Sequence, residues 1–332
     1  MLLAITLFLL SALAIYLASE YFVNGIEWLG RRLNLGATAV GSVLAAFGTA
    51  LPESAVTFIA VVFGDTPAMK NVGVGAAMGG PLVLSTLAYS IVGLALMINH
   101  KHLKRPTYAL QADCARLSRD QAAFLWIFVF KVALGLVVFA FKPWLGILFL
   151  LAYAVYVFSE IRDAHTALEE EILEPLKLRP HTAEPSLAWA ALQSVGAMLV
   201  VAFASHIFVN QLQVIGHGLG WSAQLVALIL SPIATELPEV MNALIWVRQG
   251  KERLALANIS GSMMIQATIP SALGIFFTPW LFDPALILSG AVTLMAIIFM
   301  WFLFRRGAVK AQTLITASAF YAVFALGAFW LG

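Results

Sequence analysis

The sequence predicts an all-α integral membrane protein of ten transmembrane helices, built as two inverted five-helix repeats with broken helices at the midplane. Three observations predict it. The chain is apolar, with 61% of its 332 residues hydrophobic and 11% charged, whereas a soluble domain carries roughly 25% charged residues. It is duplicated, because Gly48-Thr49-Ala50-Leu51-Pro52-Glu53 recurs as Ala234-Thr235-Glu236-Leu237-Pro238-Glu239. Its Lys and Arg residues alternate between the two sides of the apolar segments.

A span needs about 20 mostly apolar residues. Ten candidates run over 2–28, 37–62, 72–98, 121–140, 144–160, 186–212, 222–247, 254–276, 284–303 and 311–331. The first runs past any plausible cleavage site into the repeat, so it reads as a span and not as a signal peptide. The distance from Glu53 to Glu239, 186 residues, aligns the chain on itself without a gap from Ala18 to Ser262. Phe22-Val23-Asn24 then meets Phe208-Val209-Asn210, and Gly75 meets Gly261. The halves are 1–160 and 185–332, joined by a cytoplasmic connecting loop, 161–184. That loop carries Glu169, Glu170, Glu171 and Glu174, and reads as a solvated connector, with a regulatory cation sensor as the alternative.

Orientation follows from the basic residues. Loops after odd-numbered spans hold 16 Lys and Arg, while the other side holds only Lys70 and Lys142. The odd loops are therefore cytoplasmic and both termini extracytoplasmic, in a multi-pass protein of the cell membrane. Five spans per half is an odd number, so the second half lies upside down relative to the first. Inverted repeats place a binding site at their interface near the midplane.

Ionisable residues inside spans are costly and mark ion or substrate paths. Glu53 and Glu239 are such residues, each just after a Pro that lacks an amide hydrogen and unwinds the preceding turn. Carbonyls freed near 46–49 and 232–235 need partners or a cavity. Thr49 and Thr235 each precede their glutamate by four, on adjoining turns. Carboxylate, hydroxyl and carbonyl oxygens are what hard cations such as Ca²⁺ require. The alternative, two ordinary kinks with each glutamate paired to a buried base, finds only one such base, Lys131.

The motifs L-N-L-G-A-T-A-V-G-S-V-L-A-A-F-G-T-A-L-P-E, S-P-I-A-T-E-L-P-E and N-I-S-G-S-M-M-I-Q resemble the two alpha-repeats of the cation/calcium exchanger superfamily, the prokaryotic sodium/calcium exchangers above all. The resemblance implies alternating access, with spans 1 and 6 sliding against the remaining helices. It implies exchange of several Na⁺ for one Ca²⁺ around Glu53 and Glu239, with Thr49, Thr235 and Ser262 at ligand positions. The chain departs from the family pattern. Ala50 and Glu236 replace the serine after each threonine, and Gly75-Ala76-Ala77-Met78-Gly79-Gly80 replaces a G-S-N-x-x-N segment. Its second-half counterpart keeps Ser262 and has Gln266 where Asn or Asp is expected.

Glu236 brings a third carboxyl to the same region. Three bare carboxylates repel, so at least one holds a proton when the site is empty. A proton could then be the coupling ion; alternatively Glu236 turns toward Lys131 or a water-filled vestibule. The predicted function is accordingly Na⁺/Ca²⁺ antiport, with H⁺-coupled exchange of Ca²⁺ or another cation through Glu236 as the alternative.

Other classes find little support. HExxH, GxSxG and Gly-rich phosphate motifs are absent, which argues against an enzyme, and the reading calls for no cofactor. No aromatic-basic stripe points to nucleic acid, and the lone Cys114 forms no disulfide within the chain. A channel would build a ring of equivalent subunits, whereas one duplicated chain suffices for alternating access. The partners expected are small inorganic cations and the lipid bilayer, with a monomer sufficient for transport. Glu20 and His206, repeat mates, read as interface polar residues. Asn24 and Asn210 read as bonds between helices, and the Trp residues as interfacial anchors or lipid-facing bulk.

Overall fold

A computed structural model describes residues 1–32, 50–105, 107–164 and 173–331, with the side chains of 160–164 and Pro238 left aside. These residues are helical, and the sole β feature among them is an isolated bridge between Ala109 and Lys310. In chain order the helices are α1 (Leu2–Arg32), α2 (Leu51–Val62), α3 (Pro67–Asn99), α4 (Cys114–Gly135), α5 (Gly146–Ala164), α6 (Leu187–Leu219), α7 (Ala223–Thr235), α8 (Leu237–Arg248), α9 (Glu252–Phe277), α10 (Pro284–Arg305) and α11 (Ala311–Leu331).

Eight helical stretches among the described residues are long and apolar enough to cross a bilayer, with α7 and α8 forming one of them. Two predicted spans differ. Of 37–62 only α2 is described, the remainder lying outside the described residues. The span predicted at 121–140 is α4, which starts earlier and stops at Gly135. The cause of the early start is local. Asp113 Oδ1 accepts a hydrogen bond from the Arg116 amide at 3.1 Å, an N-cap that begins the helix through a polar first turn.

The long helices α1 and α6 lie antiparallel against each other. Phe8 stacks on Phe208 with ring centroids 4.7 Å apart, and at the other end Gly25 fits against Ser194 and the Ala190 carbonyl, where a Cβ would collide. Both cross over the edge of α2, where Ala18, Phe22, Leu51, Ala197 and Val201 bury one another. The two short helices α2 and α8 keep the 186-residue offset at both ends, Leu51–Val62 against Leu237–Arg248.

The glycines of α3 are packing residues. A Cβ on Gly75 would strike the Gln224 carbonyl, and one on Gly79 would meet the Leu228 carbonyl and the Pro232 ring. Two glycines one turn apart thus let α3 approach the backbone of α7, as small residues do between membrane helices. Pro81 then removes an amide from the interior of α3, and the helix widens into a π turn at Leu84–Ala88, a usual response to a broken ladder.

Two side-chain expectations change. Trp28 and Trp280 are buried, and their indoles donate to the carbonyls of Glu174 at 2.9 Å and Lys131 at 3.2 Å. The end of the connecting loop is tied down. Lys177 pairs with Glu20 at 2.8 Å. Asn24 accepts from the Lys177 amide at 3.0 Å and from Gln193 Nε2 of α6 at 2.9 Å. Asn24 therefore bonds the neighbouring helix, as its repeat position predicts, and also fastens the loop.

Candidate cation site

Pro52 and Pro238 each sit in the first turn of a helix, α2 and α8, where a missing amide hydrogen costs least. Glu53 and Glu239 follow in the same turns, so the positive end of each helix faces a carboxyl. The unwinding expected over 232–235 is narrower than predicted. Helix α7 stays wound to Thr235, and the interruption is Glu236 alone, at φ −92° and ψ 1°. Ladder bonds on both sides, Glu236 to the Pro232 carbonyl at 3.0 Å and Val240 to the Glu236 carbonyl at 3.1 Å, confine it to one residue. The carbonyls of 46–49, and Thr49 with them, lie outside the described residues.

The structure brings most of the remaining predicted residues into one buried region. Glu53, Thr235, Glu236, Glu239, Ser262 and Gln266 are all at most 2% exposed. Gln266 Nε2 donates to Glu236 Oε2 at 2.8 Å. The Thr235 hydroxyl lies 3.1 Å from Glu236 Oε1 and 3.2 Å from the Ser231 carbonyl, and its single proton serves one or the other. Ser262 donates to Glu239 Oε1 at 3.2 Å. Glu53 comes in from α2, and a Cβ on Gly80 of α3 would collide with both its carboxylate and the Gln266 amide. The glycine that stands at a family ligand position thus leaves room for the two oxygen-bearing side chains themselves.

Glu53 is the least satisfied of these groups. No amide or hydroxyl donates to its oxygens, and its carboxyl meets that of Glu236, while Gln266 Oε1 and the hydroxyls of Ser54, Thr57 and Ser231 have no partner. Buried oxygens without donors are costly, and an orphaned set of carboxylate, amide and hydroxyl oxygens is what a hard cation would satisfy. Ser54 and Thr57 escaped the sequence reading, although Thr57 follows Glu53 by four and shares its helix face. Among the described residues no three His, Cys, Asp or Glu side chains converge tightly enough to make a metal cluster. Neutral oxygens would therefore supply much of any coordination shell.

Lys131 of α4 enters the same electrostatic neighbourhood and feels Glu53. It makes no direct ion pair among the described residues, and its ammonium donates to the Ala77 carbonyl at 2.7 Å. The turn of Glu236 toward Lys131 that the sequence left open is replaced by the bonds to Thr235 and Gln266.

Known proteins share this fold. The inner membrane protein YrbG of Escherichia coli is 25% identical over 293 residues, covering 86% of this chain and 83% of its own length. The fold matches the solved H⁺/Ca²⁺ exchanger CAX with a TM-score of 0.74, at 19% identity over 97% of this chain and 81% of that one. It matches the sodium-calcium exchanger NCX_Mj with a TM-score of 0.61, at 20% identity over 97% of both chains. Residues 3–161 and 189–331 match the model of the sodium/calcium exchanger protein family, and the chain belongs to that family of membrane antiporters.

Proposed function

We propose that this chain is a secondary antiporter of the cell membrane that exchanges Na⁺ for Ca²⁺ by alternating access at one central carboxylate site. In this reading ten spans form two inverted halves, 1–160 and 185–332, with 161–184 as a cytoplasmic connector and both termini extracytoplasmic. Thr49, Glu53, Thr235, Glu236, Glu239, Ser262 and Gln266 supply oxygens, and both ions need the Glu53 and Glu239 carboxylates, so they compete. Monomeric protein is sufficient, and α1 with α6 slides against the other helices.

The observation that carries the reading is Glu53, a carboxylate at 1% exposure that no amide or hydroxyl donates to, set beside the Glu236 carboxyl and, across Gly80, the Gln266 amide oxygen. The antiparallel packing of the repeat mates α1 and α6 supports the inversion. A second reading, H⁺-coupled exchange, is favoured by Glu236, whose charge adds to those of Glu53 and Glu239 in one dry region. The known neighbours, named as a sodium-calcium and an H⁺/Ca²⁺ exchanger, are compatible with either.

The test is ⁴⁵Ca²⁺ uptake into proteoliposomes driven by an outward Na⁺ gradient, then by a pH gradient instead, with Glu53→Gln as control. Na⁺-driven uptake lost in the variant supports the first reading. Uptake driven by the pH gradient alone supports the second. Uptake under neither gradient refutes Ca²⁺ as cargo.

A further inference from the structure

We propose that the Lys131 ammonium is a resident cation of the transport site, a fixed positive charge occupying the place of one transported monovalent ion. This rests on the cation-exchange reading above.

Lys131 is fully buried in the last two turns of α4. Pro81 has no amide to give the carbonyl four residues back, and that carbonyl is Ala77, the acceptor of the Lys131 ammonium at 2.7 Å. Ala77 lies one turn before Gly80, the residue pressed against the Glu53 carboxylate; three residues of helix rise about 4.5 Å. Two aromatic faces complete the seat, Phe128 at 5.2 Å and Trp280 at 5.9 Å from the ammonium, within the range at which rings attract a cation. The Trp280 ring is fixed in turn, because its indole donates to the Lys131 carbonyl at 3.2 Å and Lys142 donates to the Trp280 carbonyl at 2.9 Å. Carbonyl oxygen, aromatic faces and a nearby carboxylate form a cation seat, and it is filled by a side chain.

The position of the seat matters. It adjoins the Gly75–Gly80 segment, which has no side-chain oxygen, while the second half carries the additional carboxylate Glu236. Lys131 has no charged mate, since the corresponding helix of the second half, α10, carries no Lys or Arg before Arg305. Three carboxylates and one ammonium leave two net negative charges, the charge of one divalent ion or two monovalent ions. Without Lys131, the ionised site has room for one more monovalent cation.

A purely structural alternative is that Lys131 only satisfies the Ala77 carbonyl. Lys131→Gln separates the two, because an amide can still donate but carries no charge, and Lys131→Arg keeps the charge. The first readout is the equilibrium Ca²⁺ accumulation ratio in proteoliposomes at clamped membrane potentials, using whichever ion gradient drives the wild type. Lys131→Gln is expected to move one elementary charge more per cycle than the wild type and Lys131→Arg. One charge across 100 mV changes the ratio roughly 50-fold. An identical voltage response in Lys131→Gln and wild type would overturn the proposal.

The second readout does not need transport, and it distinguishes failure of this inference from failure of the exchange reading. The unfolding midpoint of detergent-solubilised protein is measured in choline buffer and again with Na⁺. Lys131→Gln should lose midpoint in choline and regain it with Na⁺, and Glu53→Gln/Lys131→Gln should recover most of the loss without Na⁺. An equal loss in both backgrounds, unresponsive to Na⁺, would assign Lys131 to packing alone. If the single variant does not fold, rescue of folding by the double variant supports the proposal, and failure of rescue overturns it.

Discussion

Gln266 Nε2 donates to Glu236 Oε2 at 2.8 Å, tying α9 to the one residue at which α7 and α8 part. Both side chains are 1% exposed, so no solvent replaces the bond when it is broken. Gln266→Leu keeps the approximate volume and removes both the donor and an orphaned oxygen. Hydrogen bonds to a charged group contribute about 1.5–3 kcal/mol, so the apparent Ca²⁺ affinity should fall roughly 10- to 100-fold. Initial uptake rates against Ca²⁺ concentration measure this, and an unchanged half-saturation would place Gln266 outside the coordination shell.

Gly80 and Gly75 make a contrasting pair. An added Cβ at Gly80 meets the ends of two flexible side chains, Glu53 and Gln266, whereas one at Gly75 meets the Gln224 backbone. Side chains can swing aside and backbone cannot. Gly80→Ala should therefore purify as a monodisperse protein with transport strongly reduced. Gly75→Ala should lose folded yield instead. Size-exclusion profiles and uptake per folded molecule separate the outcomes, and equal folded yield with equal uptake would contradict the assignment.

Much of this molecule was legible in its sequence because lipid constrains it so strongly. Composition marked a membrane protein, and eight of the predicted spans correspond to apolar helices long enough to cross a bilayer. The motifs singled out Thr235, Glu236, Glu239, Ser262 and Gln266, which the structure draws together through pairwise bonds. What stayed hidden depends on distance across helices. Nothing in the pattern around Lys131 indicates that Pro81 frees the Ala77 carbonyl for it. The repeat marked Gly75 only as the match of Gly261, and its packing on α7 appears only once the two backbones are in place. The start of α4 was missed because a cap at Asp113 outweighs the polarity of the following turn.

Arg105 and Glu252 form a pair whose cost is one-sided. Arg105 Nη2 lies 2.9 Å from Glu252 Oε1, and the glutamate side chain is fully buried while the arginine keeps 17% exposure. Removing one partner of a buried pair leaves an uncompensated charge and costs about 3–5 kcal/mol. Arg105→Ala should thus unfold at markedly lower denaturant or temperature than the wild type. Arg253→Ala, whose pairing with Asp113 spans 3.8 Å at 69% exposure, should change stability by less than about 1 kcal/mol. Similar losses from both substitutions would show that burial does not govern these pairs.

Asn24 offers the sharpest test of the fastened loop. Its carboxamide oxygen accepts from the Lys177 amide at 3.0 Å and from Gln193 at 2.9 Å, and its nitrogen reaches the carbonyls of Glu174 and Pro175 at 3.3 and 3.4 Å. Alanine removes all of these at a position 4% exposed and leaves buried polar groups without partners, at about 1–3 kcal/mol. Lys177 is a trypsin site on the segment that Asn24 holds down, whereas Arg179 precedes Pro180 and is not cut. When opening is fast relative to cleavage, proteolysis follows the open population. Tryptic cutting after Lys177 should then accelerate roughly 5- to 100-fold in Asn24→Ala, with cutting elsewhere unchanged. Glu20→Gln removes the charge that pairs with Lys177, in a contact partly exposed on both sides, and keeps the cut site, so its effect on cutting after Lys177 should be small. Equal acceleration after Lys177 in the two variants would mean that the surface ion pair, not the buried carboxamide, fastens the loop.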